Sequence, residues 1–244
     1  MKKNVRRLAV AVAVCASFVA GPAHAQYYYG GLKLAWNDCA GTGTQSLFYE
    51  CGSDTSALKL YGSFVAPPGL DAVVGYKISV VAQGVGQVPW WDYGAGGCRE
   101  GLWRMSANLP GAGCTPVGTA LTSNQTFDKF VGPFDSNVKF SADVSFLEAQ
   151  AITEGQEFYA FTLTLRRPSP SACDGCCFPT CLLALVEFHQ ESGFIQLESD
   201  FNDAATWQGG VCGVRQAVAV TSGGSCLPTP AKSSTWGSLK VLYR

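Results

Sequence analysis

The chain has 244 residues, of which only 14% are charged, with 17 Lys and Arg against 18 Asp and Glu for a formal net charge of −1. A balance so close to neutral, with no basic run beyond the first seven residues, gives no footing for nucleic acid or an anionic membrane as partner. Eleven cysteines point instead to an oxidising compartment.

The first residues agree with that compartment. Lys2, Lys3, Arg6 and Arg7 precede an uncharged segment from Leu8 to Val19, and Ala23-His24-Ala25 stands before Gln26. A basic start, a short apolar middle and a small-x-small site make a secretory signal peptide over residues 1–25. The apolar run falls short of the roughly 20 residues of a spanning helix. Val14 before Cys15 does not suit a lipobox, and Arg6-Arg7 lacks the polar and aromatic neighbours of a twin-arginine signal. Cleavage after Ala25 removes four basic residues and no acidic one, so the mature chain of 219 residues carries 13 basic against 18 acidic groups, a net of −5. The expected product is secreted, extracellular or periplasmic, with no membrane attachment once the leader is gone.

In chain order the mature sequence reads as many short strands. Leu32, Leu34 and Trp36 alternate with Lys33 and Ala35; Leu58 to Val65 is β-prone; Tyr76, Ile78 and Val80 alternate with Lys77, Ser79 and Val81. The cleanest period of two is Val138, Phe140, Ala142, Val144 and Phe146 against Lys139, Ser141, Asp143 and Ser145. Phe158 to Leu165 is mixed on both faces, as a central strand would be, and Leu182 to Phe188, Arg215 to Val220 and Leu239 to Arg244 complete the set. The best helical window, Phe146 to Ile152, is short and runs into Gly155. The expectation is all-β: a single antiparallel β-sandwich of about ten strands, jelly-roll or Ig-like, over residues 26–244.

Ten cysteines remain after cleavage. Cys39 and Cys51 bracket one Gly-rich turn and Cys98 and Cys114 another irregular stretch, so each pair is expected to close its own loop, contributing about 3 kcal/mol. Cys173, Cys176, Cys177, Cys181, Cys212 and Cys226 are left with the fifteen connectivities that six cysteines allow. Cys176 and Cys177, adjacent on extended chain, point opposite ways and call for different partners.

Leu34-Ala-Trp-Asn-Asp-Cys39, Ser63-Phe-Val-Ala-Pro-Pro-Gly69, Trp90-Trp91 before Cys98-Arg99, Cys173-x-x-Cys176 with Pro179-Thr-Cys181, Thr206-Trp-Gln-Gly-Gly210, Thr229-Pro230 after Cys226, and Thr235-Trp-Gly-Ser-Leu-Lys-Val-Leu-Tyr-Arg244 together carry a resemblance. With them the chain resembles an uncharacterised group of secreted bacterial proteins over almost its whole mature length. The resemblance implies secretion and a shared fold and brings no activity. It also implies that Cys177 and Cys212 are additions to the group's usual set, and so a pair.

The candidate chemistry is sparse. Four cysteines within Cys173–Cys181 could hold zinc, but export and the lack of two separated CxxC knuckles favour disulfides, and no metal or other cofactor is expected. The CxxC there has no thioredoxin-like βαβ surroundings, which favours a structural bridge. Glu187, His189 and Glu191 would share one strand face, and His189 is the single histidine of the mature chain. Glu187 and His189 are therefore the candidate acid/base pair, weighed against a solvated strand face. A glycosidase would need two carboxylates about 5 to 9.5 Å apart, for which Asp92, Asp143 and Glu187 are available without a paired acidic motif. Asp200, Asn202 and Asp203 suit Asx turns better than a calcium loop. Asn124-Gln-Thr126 fits a glycosylation sequon.

Pro89-Trp90-Trp91-Asp92-Tyr93-Gly94 is the strongest binding candidate. On extended chain consecutive side chains face opposite sides, which would leave at least one of Trp90, Trp91 and Tyr93 at the surface to stack a sugar ring or anchor a protein. Without a nucleophile motif, these residues lead to a non-catalytic extracellular module binding a glycan or an extracellular protein. A secreted carbohydrate-active hydrolase and a subunit of an extracellular assembly are the alternatives.

Overall fold

The computed structural model describes residues 24–39, 43–48, 57–108, 113–132, 135–166, 173, 175–176, 178–199 and 204–207. Residues 1–23, the candidate strands Arg215 to Val220 and Leu239 to Arg244, and Cys51, Cys177, Cys212 and Cys226 lie outside them, as do Asp200, Asn202 and Asp203.

The fold is all-β. Its strands are β1 (His24–Trp36), β2 (Ser46–Leu47), β3 (Leu58–Val65), β4 (Ala72–Ala82), β5 (Trp103–Ser106), β6 (Thr115–Pro116), β7 (Leu121–Gly132), β8 (Asp135–Ala151), β9 (Glu157–Leu165), β10 (Thr180–Gln190), β11 (Gly193–Glu198) and β12 (Ala205–Trp207), with a 3₁₀ turn at Pro89–Trp91. The helical window Phe146 to Ile152 falls mostly within β8, where Gln150 and Ala151 pair with Val73 and Ala72 of β4. The order along the sheet is β5-β9-β3-β1-β11-β10-β4-β8-β7, with β12 beside β10, β2 beside β12 and β6 beside β9. The expected wholly antiparallel pairing is corrected to a mixed one, because β1 runs parallel to β11, β12 to β2 and β6 to β9.

Strand β1 joins the two arms of the sheet. Its first part pairs with β11, and Leu32 to Trp36 pair with β3. The change of partner occurs where Tyr29, Gly30 and Gly31 all stand opposite Glu198. Gly31 has φ +84°, a left-handed backbone that a side chain would resist. Leader cleavage after Ala25 would leave Gln26, opposite Ile195, as the first residue of this strand.

The alternation read in β8 is realised: Val138, Phe140, Ala142 and Val144 are buried. They belong to a core shared by both arms. Phe64 on β3 lies 4.5 Å from Phe188 on β10, Trp103 on β5 lies 5.2 Å from Phe140, and the Tyr76 hydroxyl on β4 donates to the Ala160 carbonyl on β9 at 2.6 Å. The ends of the sheet also approach one another. The Met105 amide donates to Gln125 Oε1 at 2.8 Å and the Ala107 amide to Thr122 Oγ1 at 3.1 Å, so β7 side chains cap the amides of β5 and of Ala107 just beyond it.

Gly62 on β3 shows how closely the side chains of neighbouring strands are packed. A Cβ there would stand 2.2 Å from Phe161 Cε1 on the neighbouring strand, inside any tolerable contact. Gly62→Ala should therefore destabilise the protein by about 1–3 kcal/mol through overpacking. Denaturant unfolding reads this directly, and an unchanged midpoint would mean that the ring moves aside without cost.

The disulfides correct the expected pairing. Cys39 bonds Cys114 and Cys98 bonds Cys173, each across 75 residues. Proximity in sequence was the wrong guide because Asp38 gathers the distant segment: its Oδ1 accepts the amides of both Cys39 and Gly113. Cys176 and Cys181 are disulfide-bonded as well. Every described cysteine of the Cys173–Cys181 cluster is thus oxidised, which removes three thiolates from a zinc reading.

Candidate functional site

The Trp90, Trp91 and Tyr93 surface is overturned. All three are buried, Trp91 completely. Pro89 opens a 3₁₀ turn, so successive side chains splay around a turn instead of alternating across a strand, and the turn presses both tryptophans inward. Tyr93 packs against Phe127 and Phe140.

Two of these rings, Trp90 and Tyr93, stack on Arg99, a residue that the sequence reading quoted beside Cys98 without giving it a role. Its side chain is 1% exposed, and its guanidinium carbon lies 4.1 Å from the Trp90 ring centroid and 4.5 Å from that of Tyr93. Nη1 donates to the Trp90 carbonyl at 3.3 Å and Nη2 to the Arg166 carbonyl. The cation is held by ring faces and carbonyls inside the fold, a packing role. The sequence signal was a lone arginine beside a bridged cysteine, eight residues after a tryptophan pair.

Glu187 and His189 are brought together. His189 Nε2 lies 2.9 Å from Glu187 Oε1, and Gln196 Nε2 donates to Glu187 Oε2 at 2.7 Å. Glu191 does not join them, because it falls in the two-residue turn between β10 and β11.

The pair lies on the outer side of β11, β10, β4, β8 and β7, opposite the core. One row across the strands reads Gln196, Glu187, Lys77, Asp143 and Ser123, each opposite the next. Asn124 follows Ser123 and donates from Nδ2 to Asp143 Oδ2 at 2.8 Å. Acid, base and acid alternate across three strands, so each charge has an opposite neighbour. Asn124 has φ +46° within a register shift of β7, and the sequon amide is thereby engaged by Asp143. Glu198, partly buried two residues along β11 from Gln196, has its carboxyl raised above the ordinary range by that burial.

Asp92 is not part of the row. Its carboxylate accepts Lys129 Nζ at 2.6 Å and the Gly94 amide at 3.3 Å, tying the aromatic turn to β7. The three carboxylates offered for a glycosidase therefore divide: Glu187 and Asp143 share a face with Lys77 between them, and Asp92 stands apart. Among the described residues no group of three or more His, Cys, Asp or Glu is placed to hold a metal. No described helix is long and apolar enough to cross a membrane.

No protein-family model matches the chain, and no curated protein matches it. Among solved structures the chain is similar to one described as "AvmM Catalyzes Macrocyclization in Alchivemycin A Biosynthesis", at 8% identity over 75% of this chain and 92% of that one, with a TM-score of 0.35. A likeness of that size carries no argument about activity.

Proposed function

We propose that the chain is a secreted protein, one domain over residues 26–244, that acts in the extracellular or periplasmic space as a non-catalytic binding or structural module. The disulfides support the compartment. The observation that carries the binding reading is the polar row Gln196, Glu187, Lys77, Asp143 and Asn124, a five-strand face with directional donors and acceptors, backed by a rigid core. Such a face suits a glycan or the polar surface of an extracellular protein better than an apolar ligand.

Capture of glycans and extracellular proteins by the mature chain tests the reading. Lys77→Glu and Glu187→Lys each break the alternation of charge without touching the core. Either should weaken capture by about tenfold, a change of about 1.4 kcal/mol, with little change in thermal stability. Binding unaltered in both variants would remove this face from consideration.

The second reading is a secreted, carbohydrate-active hydrolase, favoured by the 2.9 Å contact of His189 with Glu187. Turnover of a polysaccharide by the wild-type chain, lost in Glu187→Gln and His189→Ala, would replace the module reading. The third reading, a subunit of an extracellular assembly, depends on a free strand edge.

A further inference from the structure

We infer that Cys176 and Cys181 close two separate disulfides on opposite sides of the sheet, each to a cysteine among Cys51, Cys177, Cys212 and Cys226, so that the start of β10 is clamped from both faces. Both residues are disulfide-bonded. The inference is independent of the binding reading above and holds for a module and for an enzyme alike.

The pattern of β10 sets the two cysteines apart. Leu182, Ala184, Val186 and Phe188 belong to the core, so Cys181, one residue before Leu182, points to the outer side that carries Glu187 and His189. Cys176 is itself part of the core. A disulfide needs its Cβ atoms about 3.5–4.5 Å apart, whereas side chains on opposite faces of a strand diverge. The pair that proximity in sequence would favour, Cys176 with Cys181, is thereby excluded. Cys39 and Cys114, and Cys98 and Cys173, are already bonded to one another. In the mature chain that leaves Cys51, Cys177, Cys212 and Cys226.

Burial supports a partner that lies over the outer face. Thr206 opposite Cys181, Leu183 two residues on and Val81 opposite Leu183 are all partly exposed, yet Cys181 itself is 1% exposed. A sulfur bonded from above accounts for its burial and its oxidation together. The clamp closes one end of the outer face, and Glu187 stands about 20 Å further along β10, well clear of it. Cys173, Cys176 and Cys181 thus open three different bridges, and the Cys173-x-x-Cys176 spacing closes none of its own.

Mapping of disulfide-linked peptides from the mature chain tests this, with the digest kept in acid against exchange and each linked set resolved by electron-transfer fragmentation. Cys176 and Cys181 should each appear linked to a different one of the four cysteines. Alkylation of single variants gives a second measurement, in which Cys176→Ala and Cys181→Ala each free one thiol, at two different positions among the four. The wild-type map decides alone where a variant fails to fold. A Cys176–Cys181 link, a free thiol at either residue in the wild type, or Cys181→Ala freeing the thiol of Cys176 overturns the inference.

Discussion

Arg99→Ala is expected to destabilise the protein by about 4 kcal/mol, the largest single effect foreseen for a residue outside the disulfides. The change empties a fully enclosed volume, removes a cation from two ring faces and leaves the Trp90 and Arg166 carbonyls without their donor. Arg99→Lys should still cost about 2 kcal/mol, because a point charge cannot stack on both rings and bond both carbonyls. The neighbouring residue makes the prediction sharper. Cys98 bonds Cys173 while Arg99 bonds Arg166, so adjacent residues hold both ends of the segment from 166 to 173. Removing the bridge by Cys98→Ala with Cys173→Ala should itself cost about 4 kcal/mol for a loop of this length. Because both restraints act on one segment, the triple variant should lose less than the two costs combined, by about 1–3 kcal/mol. Denaturant unfolding of the variants measures this coupling. Strict additivity, or an Arg99→Ala cost below about 1 kcal/mol, would show that the arginine is a passive filler.

The all-β fold was legible where one face of a strand is wet and the other dry. β8 announces itself through Val138, Phe140, Ala142 and Val144, and β3 matches the β-prone run Leu58 to Val65. The order of strands was not legible. Which strands become neighbours depends on contacts such as Phe64 with Phe188 and on the change of partner at Gly31, neither of which has a local sequence signature. The cysteine pairing failed for the same reason. Loop closure favours near partners in the unfolded chain only slowly with length, and the sheet, once formed, decides which sulfurs meet.

The candidate site divides in the same way. Glu187 and His189 meet because residues two apart on a strand share a face, whatever lies around them. Gln196, Lys77 and Asp143 complete the row only through the registers of β11, β4 and β8. The aromatic cluster misled because Trp90, Trp91 and Tyr93 were assigned an extended backbone. Pro89 favours the first position of a helical turn, and a turn sends both tryptophans to the core. Arg99 is buried with them, stacked on the Trp90 and Tyr93 rings and bonded to the Trp90 and Arg166 carbonyls, contacts that no local sequence pattern announces.

Raising the pH should erode the protein's stability from about pH 10 and unfold it cooperatively about one to four pH units higher. Tyr76, Tyr93 and Tyr159 are buried, and burial pushes each phenol well above its ordinary range; for Tyr93 this outweighs the opposing effect of nearby Arg99. Tyr76 donates to the Ala160 carbonyl at 2.6 Å and Tyr159 to that of Ser106 at 2.7 Å, bonds that only the neutral phenols make. Folded-state values above the unfolded value of about 10 mean that the stabilising contribution is complete below pH 10. Above it the unfolded chain releases protons that the folded chain keeps, so stability falls by about 1.4 kcal/mol per pH unit for each phenol, about 4 for the three. A domain of ordinary stability, about 5–15 kcal/mol, is exhausted within about one to four pH units. Absorbance at the phenolate band, followed beside far-ultraviolet circular dichroism, should show these tyrosines ionising together with the loss of strand signal. Tyr76→Phe should reduce the alkaline slope by about a third while costing about 1–3 kcal/mol at neutral pH, where the Ala160 carbonyl loses its donor. Full ionisation of all tyrosines by about pH 11 with the strand signal intact would contradict the burial of these three rings, and with it the packing of β4 and β9 across the core.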